Sequence, residues 1–314
     1  MRRSKAGFAP ATVASLALAT IGWGGSIASA ATFNLTEVAP GIHFHQGRQV
    51  ALDSPERDDI ANIGFIIGER CVAVIDTGGS IATGRKLRNA LRSVTRKPVC
   101  YVVNTHVHYD HLLGNHAFAS DNAQIIGHRR LPAAVANNRT FFLASFANEL
   151  GHHKQPAVIH DPDVTVEETR ILDLGNRKIR LDAHSTSHTD NDLTVFDLNT
   201  NTLWASDLLF TQRIPALNGS INGWIEETRK LAASRVDRMI PGHGAIPADW
   251  HAAVRAQMRY LVSLRNEIRR IILKGGFLED ALVSAGDGEK ERWLLFDQNH
   301  RRNVSRAFAE LEWE

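Results

Sequence analysis

Four side chains of metal-ligating types fall within six residues of this chain, directly after an apolar run. The run is Val99-Cys100-Tyr101-Val102-Val103, and the cluster after it contains His106, His108, Asp110 and His111. A continuous apolar run of this length is typical of a strand buried on both faces, as in a sheet covered by helices. The feature therefore favours an α/β fold in which a polar loop follows a central strand.

The spacing within this cluster suits two cations. Alternate side chains of a loop can turn toward one point, so His106 and His108 can grip one ion while Asp110 and His111 face a second. Zinc accepts imidazole nitrogen and carboxylate oxygen at about 2.0–2.2 Å. The competing interpretation is a polar loop whose histidines only contact solvent, and the dense spacing disfavours it.

Strand and helix patterns alternate through both halves of the chain. We predict strands over 41–45, 62–67, 71–75, 99–103, 170–174, 177–183, 193–198, 201–206 and 236–240. Helices are predicted after the turn ending at Ser80, around 128–150, over 222–234 and over 248–273. Residues 275–314 form a further, mostly helical tail. Because no Pro/Gly/Ser-rich linker divides the chain, we expect one main domain.

The first thirty residues have the organisation of a signal peptide. Positive charges within residues 2–5 precede an apolar stretch over 8–27, which ends at the small residues Ala28-Ser29-Ala30. A membrane anchor is the alternative, but Pro10 and three glycines interrupt the stretch. We therefore predict export to the periplasm with cleavage near residue 30, and no membrane segment afterwards. The choice between Sec and Tat export stays open.

The charge balance excludes one class of partner. The formal net charge is +2, and three of the positive charges lie in the signal segment, which leaves −1 for the remainder. Since no block of Lys and Arg occurs elsewhere, we expect no nucleic-acid partner. The expected partner is a small-molecule substrate, and the sequence identifies no protein partner.

Two cysteines occur, Cys71 and Cys100, and neither has the spacing of a metal ligand. Each lies at the start of a predicted strand, Cys71 five residues before Asp76 and Cys100 five before Thr105. A disulfide between neighbouring strands has demanding geometry, so we favour two buried, unpaired thiols and leave the pairing open.

The histidine cluster resembles the H-x-H-x-D-H signature of the metallo-β-lactamase superfamily. The further landmarks follow in order: Asp76 in Val-Ile-Asp-Thr-Gly, His188 in His-Thr-Asp-Asn-Asp-Leu, Asp207 in Trp-Ala-Ser-Asp-Leu-Leu, and His243 in Pro-Gly-His-Gly. The resemblance covers roughly residues 35–250. It implies an α/β fold, an αββα sandwich over residues 31–274, with a helical C-terminal extension over 275–314. It places the metals at one edge between the two sheets.

The resemblance also implies a role for each residue in binding two zinc ions (Zn²⁺). His106, His108 and His188 would hold the first ion, Asp110, His111 and His243 the second, and Asp207 would bridge them. Asp76 would lie behind the ligands and orient one of them through a hydrogen bond. The implied activity is attack of a metal-bound hydroxide on an ester, thioester or amide carbonyl. Asp110 is the candidate catalytic residue because it can relay a proton.

Three other functions remain open. A class B-type β-lactamase performs a narrower version of the same chemistry, although neither cysteine lies near the second-zinc landmarks. A mononuclear iron sulfur dioxygenase has a similar fold, but the complete set of Asp110, His111 and His243 argues against it. The third is an exported metal-binding module without turnover. Arg213-Ile214-Pro215 and the tail around Asn303 resemble the exported quinoprotein relay system and SoxH-like zinc metallohydrolases.

Several other side chains have two interpretations. His184 is a weaker alternative to His188 as a ligand. Asn191 and Asn218 could donate hydrogen bonds to an oxyanion, and the apolar residues 50–52 form either a flap or an ordinary packed loop. Phe210 and Trp224 are expected in the core more than in the pocket. The histidines remaining on the surface in this interpretation include His128, His160, His251 and His300.

Overall fold

Two β-sheets pack face to face in this computed structural model, and each carries helices on its outer face. The structure describes residues 33–153 and 155–314, together with Met1 and Gly7. The predicted signal peptide over residues 1–30 lies outside the described residues apart from those two positions, so it stays a prediction. The αββα sandwich with a helical C-terminal part, predicted from the sequence, is confirmed.

The first sheet has seven strands in chain order. They are β1 (Thr36–Ala39), β2 (Ile42–His45), β3 (Ile63–Ile67), β4 (Val72–Ile75), β5 (Val99–Val103), β6 (Gln124–His128) and β7 (Val164–Val166). Strands β1 to β4 pair antiparallel, and β4 to β7 pair parallel. Parallel neighbours bring their carboxyl ends to one edge of the sheet. The loop after β5, which contains the histidine cluster, therefore lies at that edge.

The second sheet has five strands in the order β12-β11-β10-β9-β8. They are β8 (Thr169–Asp173), β9 (Lys178–Ala183), β10 (Leu193–Asp197), β11 (Thr202–Phe210) and β12 (Arg238–His243). Only β11 and β12 are parallel, and the other pairs are antiparallel. All nine residues of β11 are buried, which makes it the central support of this sheet.

Seven helices flank the sheets in the described part of the chain. They are α1 (Ile81–Val94), α2 (Tyr109–Leu112), α3 (Leu131–Ser145), α4 (Ile221–Ala232), α5 (Trp250–Leu273), α6 (Leu278–Ser284) and α7 (Phe296–Leu311). Their starts follow ordinary capping chemistry: the side chains of Ser80, Ser220 and Asp249 accept backbone N–H groups of α1, α4 and α5. Among the described helices, none combines the length and apolar character that a membrane span requires.

Three apolar clusters account for the layers. Residues such as Ile66, Val103 and Trp204 from both sheets form the central layer. On the outer face of the first sheet, strand residues pack on Leu87 and Leu91 of α1. The outer face of the second sheet packs against α4, α5 and the C-terminal helices. Alternating strand residues therefore serve two cores, which explains why the central strands are apolar on both faces.

The C-terminal extension is built into the same apolar core as the second sheet. Val304, Phe308 and Leu311 of α7 are buried with Leu261 and Leu264 of α5. Residues 33–314 accordingly form one compact unit. The C-terminal extension is therefore positioned to support the loops at the edge of the second sheet.

Our expectation of two unpaired thiols was wrong. Cys71 and Cys100 form a disulfide, with their Cα atoms 5.8 Å apart. Strands β4 and β5 are parallel neighbours with Val72 opposite Val99, so the cysteine before β4 and the second residue of β5 meet diagonally. This separation lies within the range for disulfides. The bond ties together the two strands that lead to Asp76 and to the histidine cluster.

The predicted helical region around 128–150 is confirmed, whereas the strand before it was not predicted. Residues Gln124–His128 form strand β6, and the helix α3 spans Leu131–Ser145. The strands β1 and β7 were also not predicted. These short strands lie at or next to the edges of the first sheet. There, pairing with the neighbouring strand determines strand formation more than the local sequence pattern does. The other predicted strands and helices are confirmed within a few residues of their ends.

Candidate metal centre

The loop after β5 presents four of the predicted ligands. His106 and His108 lie in extended or turn conformation, and the short helix α2 then carries Asp110 and His111. Asn104, at the start of the loop, donates its backbone N–H to Ile126 of β6 and exchanges side-chain hydrogen bonds with Asn115. These contacts fix the loop at the carboxyl end of the sheet.

The second sheet supplies the remaining three predicted ligands from separate places. His188 lies in the loop between β9 and β10, Asp207 lies within β11, and His243 ends β12. The carboxylate of Asp192 accepts hydrogen bonds from the backbone N–H and hydroxyl of Thr189, which closes the turn around His188. Ser206 adopts a positive φ of 48°, so the strand changes direction at the residue before Asp207.

His106, His108, His188 and Asp207 form the first cluster of potential ligand atoms. His108 Nδ1 lies 2.9 Å from His106 Nε2 and 3.0 Å from His188 Nε2. Asp207 Oδ2 lies 3.2 Å from His188 Nε2. Ligand atoms at about 2.05 Å from a tetrahedral zinc are about 3.3 Å apart. The cluster is therefore close to the size that one zinc ion requires.

Asp110, His111 and His243 form the second cluster. Asp110 Oδ2 lies 3.6 Å from His111 Nε2 and 3.4 Å from His243 Nε2. Asp207 also faces this cluster, because its Oδ1 is 3.3 Å from His111 Nε2 and its Oδ2 is 3.3 Å from His243 Nε2. The seven residues predicted from the sequence thus converge, with Asp207 between the two groups.

Buried partners behind the cage orient its imidazoles. Asp76 has a positive φ of 54° and is fully buried. Its Oδ2 is 2.8 Å from His111 Nδ1 and accepts a 2.7 Å hydrogen bond from the Thr105 hydroxyl, while its Oδ1 accepts the Thr105 backbone N–H. His243 Nδ1 lies 2.8 Å from the carbonyl oxygen of Ile60. These contacts leave each Nε2 free to face the centre.

Electrostatics in the cage favour the metal-binding protonation state at some ligands and oppose it at others. Burial holds the pKa of His106 and His108 well below the usual value, so both are neutral at pH 7. Burial alone raises the pKa of Asp207, but the surrounding imidazoles, led by His243 and His111, outweigh it and hold that pKa well below its usual value. The carboxylate of Asp207 outweighs burial at two other imidazoles: it raises the pKa of His188 and, together with Asp76, raises that of His111 well above its usual value. A cation must therefore compete with protons at these two ligands.

Buried atoms without hydrogen-bond partners test whether the residues fit two cations. Among the described residues, the buried atoms His111 Nε2 and Asp207 Oδ1 face each other and neither has a hydrogen-bond partner. Buried polar atoms are rarely left unpaired in native proteins. Two divalent cations would satisfy these atoms, and the His and Asp donor set fits zinc. The residues present therefore fit the two ions that the sequence predicted.

Gly242 allows β12 to approach the centre. A Cβ atom at this position would collide with Asp207 Oδ1 and with the backbone of residues 206–207. The absence of a side chain at 242 is therefore what lets His243 and Asp207 share one space.

A cavity of about 280 Å³ opens onto the candidate ligands His108, Asp110, His188, Asp207 and His243. Its apolar lining includes Leu52, Tyr109, Phe141, Phe142, Phe146 and Phe210. Its polar lining includes Asn218, Asn299, Arg213 and Arg302. The centre thus adjoins a space that can hold a small molecule with an apolar part.

The structure separates the remaining candidates. His184 contacts Glu227 and Thr194 instead of the cage. Asn218 lines the cavity, with its Nδ2 2.8 Å from His108 Nε2, whereas Asn191 is buried and does not line it. Leu52 of the predicted flap does line the cavity.

Two aromatic residues expected in the core have different surroundings. Trp224 is fully buried and contacts the ring of His188. Phe210 is also buried, but it stacks on His243 and lines the cavity. The expected surface positions of His128 and His300 were wrong, since both are buried.

Sequence reasoning missed the three arginines of the cavity, Arg57, Arg213 and Arg302. Arg213 was noticed only as part of a motif, and Arg302 was not considered. The available signal for Arg213 was its position only six residues after Asp207. The contribution of Arg302 depends on how α7 packs, which no local pattern reveals.

Comparison with known proteins agrees with this geometry. The family model described as "Metallo-beta-lactamase superfamily" matches residues 57–243. A curated relative, the 2,4-dinitroanisole O-demethylase subunit alpha of Nocardioides sp. (strain JS1661), is 26% identical over 183 residues. That match covers 57% of this chain and 51% of the relative, so the chain spans about half of that protein's length.

Solved structures share the fold at low sequence identity. A metallo-β-lactamase from Pontibacter korlensis superposes with a TM-score of 0.60 at 15% identity, covering 73% of this chain and 98% of that chain. A double mutant of the sec-alkyl sulfatase PisA1 superposes with a TM-score of 0.62 at 17% identity, covering 79% of this chain and 44% of that chain. Together with the family match over more than half of its length, these findings place the chain in the metallo-β-lactamase superfamily.

Proposed function

We propose that this chain is a periplasmic hydrolase that uses two zinc ions to cleave an ester, thioester or amide bond. The observation that carries the proposal is the position of Asp207. Its carboxylate oxygens lie 3.2 Å from His188 Nε2 in one cluster and 3.3 Å from His111 Nε2 and His243 Nε2 in the other. One carboxylate facing both ligand sets is the arrangement that a bridged pair of ions requires.

Zinc ions held there would lower the pKa of a shared water and polarise a substrate carbonyl. The residues of the chain do the rest. Asp76 keeps His111 in one orientation, and the aromatic lining at Phe141, Phe142 and Phe146 excludes water from the apolar part of the substrate. Asp110 lines the cavity as well as the second cluster, which supports its assignment as the proton relay.

Elemental analysis combined with a substrate panel tests this proposal. Purified protein, from which residues 1–30 have been removed, is expected to contain two zinc ions per chain and to hydrolyse members of a panel of nitrophenyl esters, thioesters and a chromogenic cephalosporin. His106→Ala and His243→Ala should each lose zinc and turnover. His251→Ala, at an exposed position, is the matched control. One iron per chain, or two zinc ions without turnover on any substrate, would contradict the proposal.

An aryl ether is a second candidate substrate. It is favoured by the aromatic lining of the cavity together with the relative whose name describes an O-demethylase acting on 2,4-dinitroanisole. Adding 2,4-dinitroanisole to the substrate panel distinguishes ether cleavage from hydrolysis of an ester, thioester or amide. Release of dinitrophenolate with no turnover of esters or thioesters would favour ether cleavage.

The proposed location rests on the signal-like segment and on the disulfide. Structural disulfides persist in oxidising compartments such as the periplasm, and Cys71 and Cys100 are paired. Membership of the quinoprotein relay system and SoxH-like subgroup is part of the same proposal. N-terminal sequencing of protein recovered from a periplasmic fraction should give a start near residue 31. Recovery of the uncleaved chain from the cytoplasm would contradict this location.

A further inference from the structure

Three further histidines lie together away from the metal centre. His116 belongs to the 3₁₀ helix Asn115–Asp121, His153 ends the turn after α3, and His160 lies shortly before β7. His116 and His160 are partly buried, and His153 is exposed. The three belong to neither ligand cluster of the metal centre, and we call them the outer histidine cluster.

The spacing of the outer histidine cluster suits a shared cation. The ring centroids are 5.5 Å apart both for His116 with His160 and for His116 with His153. In the second cluster of the metal centre, the rings of His111 and His243 are also 5.5 Å apart. His116 Nδ1 lies 3.2 Å from His160 Nε2, close to the separation of about 3.3 Å between two ligands of one tetrahedral zinc. In the metal-free protein this contact is an N–H···N hydrogen bond, and a cation would take the place of its proton.

The two partly buried imidazoles have the protonation state that a metal ligand needs. Burial lowers the pKa of His116, and the neighbouring His153 and Arg85 lower it further. Burial and the contact with His116 lower the pKa of His160, while the carboxylate of Asp163 acts in the opposite direction. Both imidazoles are therefore neutral at pH 7, and each has one nitrogen lone pair to offer.

The backbone holds His116 and His160 in place. Arg139 of α3 binds the residues on both sides of His160, through the carbonyl oxygen of residue 159 and through two hydrogen bonds of 2.6 and 2.7 Å to the carboxylate of Asp161. Residue 115, directly before His116, is fixed by its side-chain hydrogen bonds with Asn104. Two of the three imidazoles therefore stand on rigid supports, which favours binding of a ligand between them.

A cation at this place would join two segments that are distant in sequence. Residues 146–163 connect α3 to β7, and they contain His153 and His160 but not His116. Loops of this length without long elements of their own are uncommon in compact domains. Helix α3 before the loop carries Phe141, which lines the cavity beside the metal centre. Tying the loop to the 3₁₀ helix of His116 would therefore steady one wall of that cavity.

We propose that His116, His153 and His160 bind a third divalent cation, with zinc as the expected ion and a water molecule as its fourth ligand. Imidazole nitrogens suit zinc, copper and nickel, and three protein ligands with one water form a common zinc coordination. Since the exposed His153 must be ordered on binding, this site should be weaker than the cage. The purified protein should therefore keep two zinc ions and take up the third from added zinc.

Calorimetric titration with zinc chloride tests this site in the purified protein that already holds two zinc ions. We expect one further ion per chain, with a dissociation constant in the micromolar range. His116→Ala and His160→Ala should each weaken it by at least about tenfold, the smallest loss found even for residues that only support a metal ligand. His153→Ala should weaken it less.

The matched control for the titration is His152→Asn. His152 is an exposed neighbour of His153 with a positive φ of 59°, which asparagine tolerates. Its affinity for the third ion should equal that of the wild type. No further ion at millimolar zinc, or a third ion bound equally well by His116→Ala and His160→Ala, would overturn the proposal.

Hydrogen exchange tests whether the cation joins the two segments. Added zinc should slow the exchange of backbone amides in residues 146–163 several-fold in the wild type. His116→Ala should abolish this slowing, although His116 lies outside the loop. Equal slowing in the wild type and in His116→Ala, or zinc binding without slower exchange, would contradict the bridge.

The proposed function and the outer site can fail separately. If the cage holds two zinc ions and the protein hydrolyses its substrates but takes up no third ion, only the outer site is wrong. If the cage binds no zinc, the proposed function fails. The metal-free protein should then still bind one zinc ion, and His116→Ala should lose it.

Discussion

The two sheets contribute to the metal centre in different ways. The first sheet supplies His106, His108, Asp110 and His111 from one loop of six residues, fixed from behind by Asp76. The second sheet supplies its three residues from a loop, a strand interior and a strand end that are up to 55 positions apart in the sequence. The positions of the four ligands from the first sheet depend on the conformation of one loop. The positions of the three ligands from the second sheet depend on how its strands pack together.

The hydrogen bonds that hold the ligands differ in the same way. Those of the first sheet come from one neighbouring residue (local support), and those of the second sheet come through several segments (distributed support). Asp76 alone contacts both the loop backbone at Thr105 and the ligand His111. For the second sheet, support reaches His188 through hydrogen bonds from residues 218 and 219, and these residues are held in turn by the C-terminal extension. Substitutions in the first sheet should therefore change the zinc affinity of particular ligands. Substitutions around the second sheet should also lower the free energy of unfolding.

Asp207→Asn should have the largest effect, because this residue of the second sheet faces both ligand sets. We expect turnover to fall by about a thousandfold, in line with the loss of several kcal/mol of metal-based stabilisation. Steady-state kinetics with zinc analysis checks this, and Asp190→Asn, an exposed neighbour of the His188 turn, is the control. Retention of two zinc ions and normal turnover would show that Asp207 does not bridge them.

Asp76→Asn tests the local support of the first sheet. Since Asp76 contacts His111 but none of the three imidazoles in the other cluster, the affinity for the second zinc should fall about ten- to hundredfold. The affinity for the first zinc should change little. Competition with a chelator resolves the two binding steps. An equal loss in both steps would mean that the support is shared between the ligand sets.

His128, at the end of β6, predicts a pH effect on stability that is independent of the cage. Burial lowers its pKa to about 4, below the usual 6.5. The unfolded chain therefore binds a proton first as the pH falls, so the contribution of His128 is complete above pH 6.5 and is lost between pH 6.5 and 4.

At pH 5 this loss amounts to about 2 kcal/mol of unfolding free energy. Urea unfolding of the metal-free protein at pH 7 and pH 5 measures it. His128→Asn should flatten this dependence, and His251→Asn, at an exposed position, should not. The same slope in wild type and His128→Asn would show that this histidine is not responsible.

Glu310→Gln tests the distributed support of the second sheet and should have the smallest effect. Glu310 on α7 accepts hydrogen bonds from the Ser220 hydroxyl and from the backbone N–H of Ile221 and Asn222. The loss of this charge at the start of α4 should cost about 1 kcal/mol and lower zinc affinity slightly. Urea unfolding and zinc titration check both, with the exposed Glu312→Gln as control. Lower zinc affinity without lower stability would contradict distributed support.

The four ligands at positions 106–111 could be predicted from the sequence, because ligand-type side chains at metal-binding spacing occur together in one loop. The strands β3 to β5 were also predictable, since they are buried on both faces and therefore read as apolar runs. The assignment of Asp207 and His243 needed the family resemblance, because a single carboxylate or histidine in a strand carries no signal by itself.

Other features depend on contacts that the local sequence does not encode. The pairing of Cys71 with Cys100 follows from the register of β4 and β5. The burial of His128 and His300 follows from how β6 and α7 pack. Arg213 and Arg302 become neighbours of one cavity only because the C-terminal helices fold back onto the second sheet.

Gly242 has a consequence for how this protein can diverge. Any missense change at a glycine codon adds at least one carbon atom, and here that atom would strike Asp207. Every amino-acid substitution at position 242 should therefore impair the protein. After random mutagenesis, every active clone should still have glycine at this position. New substrate preferences can arise instead through the segment 211–220 and the helical wall that holds it, where mutations leave the cage intact.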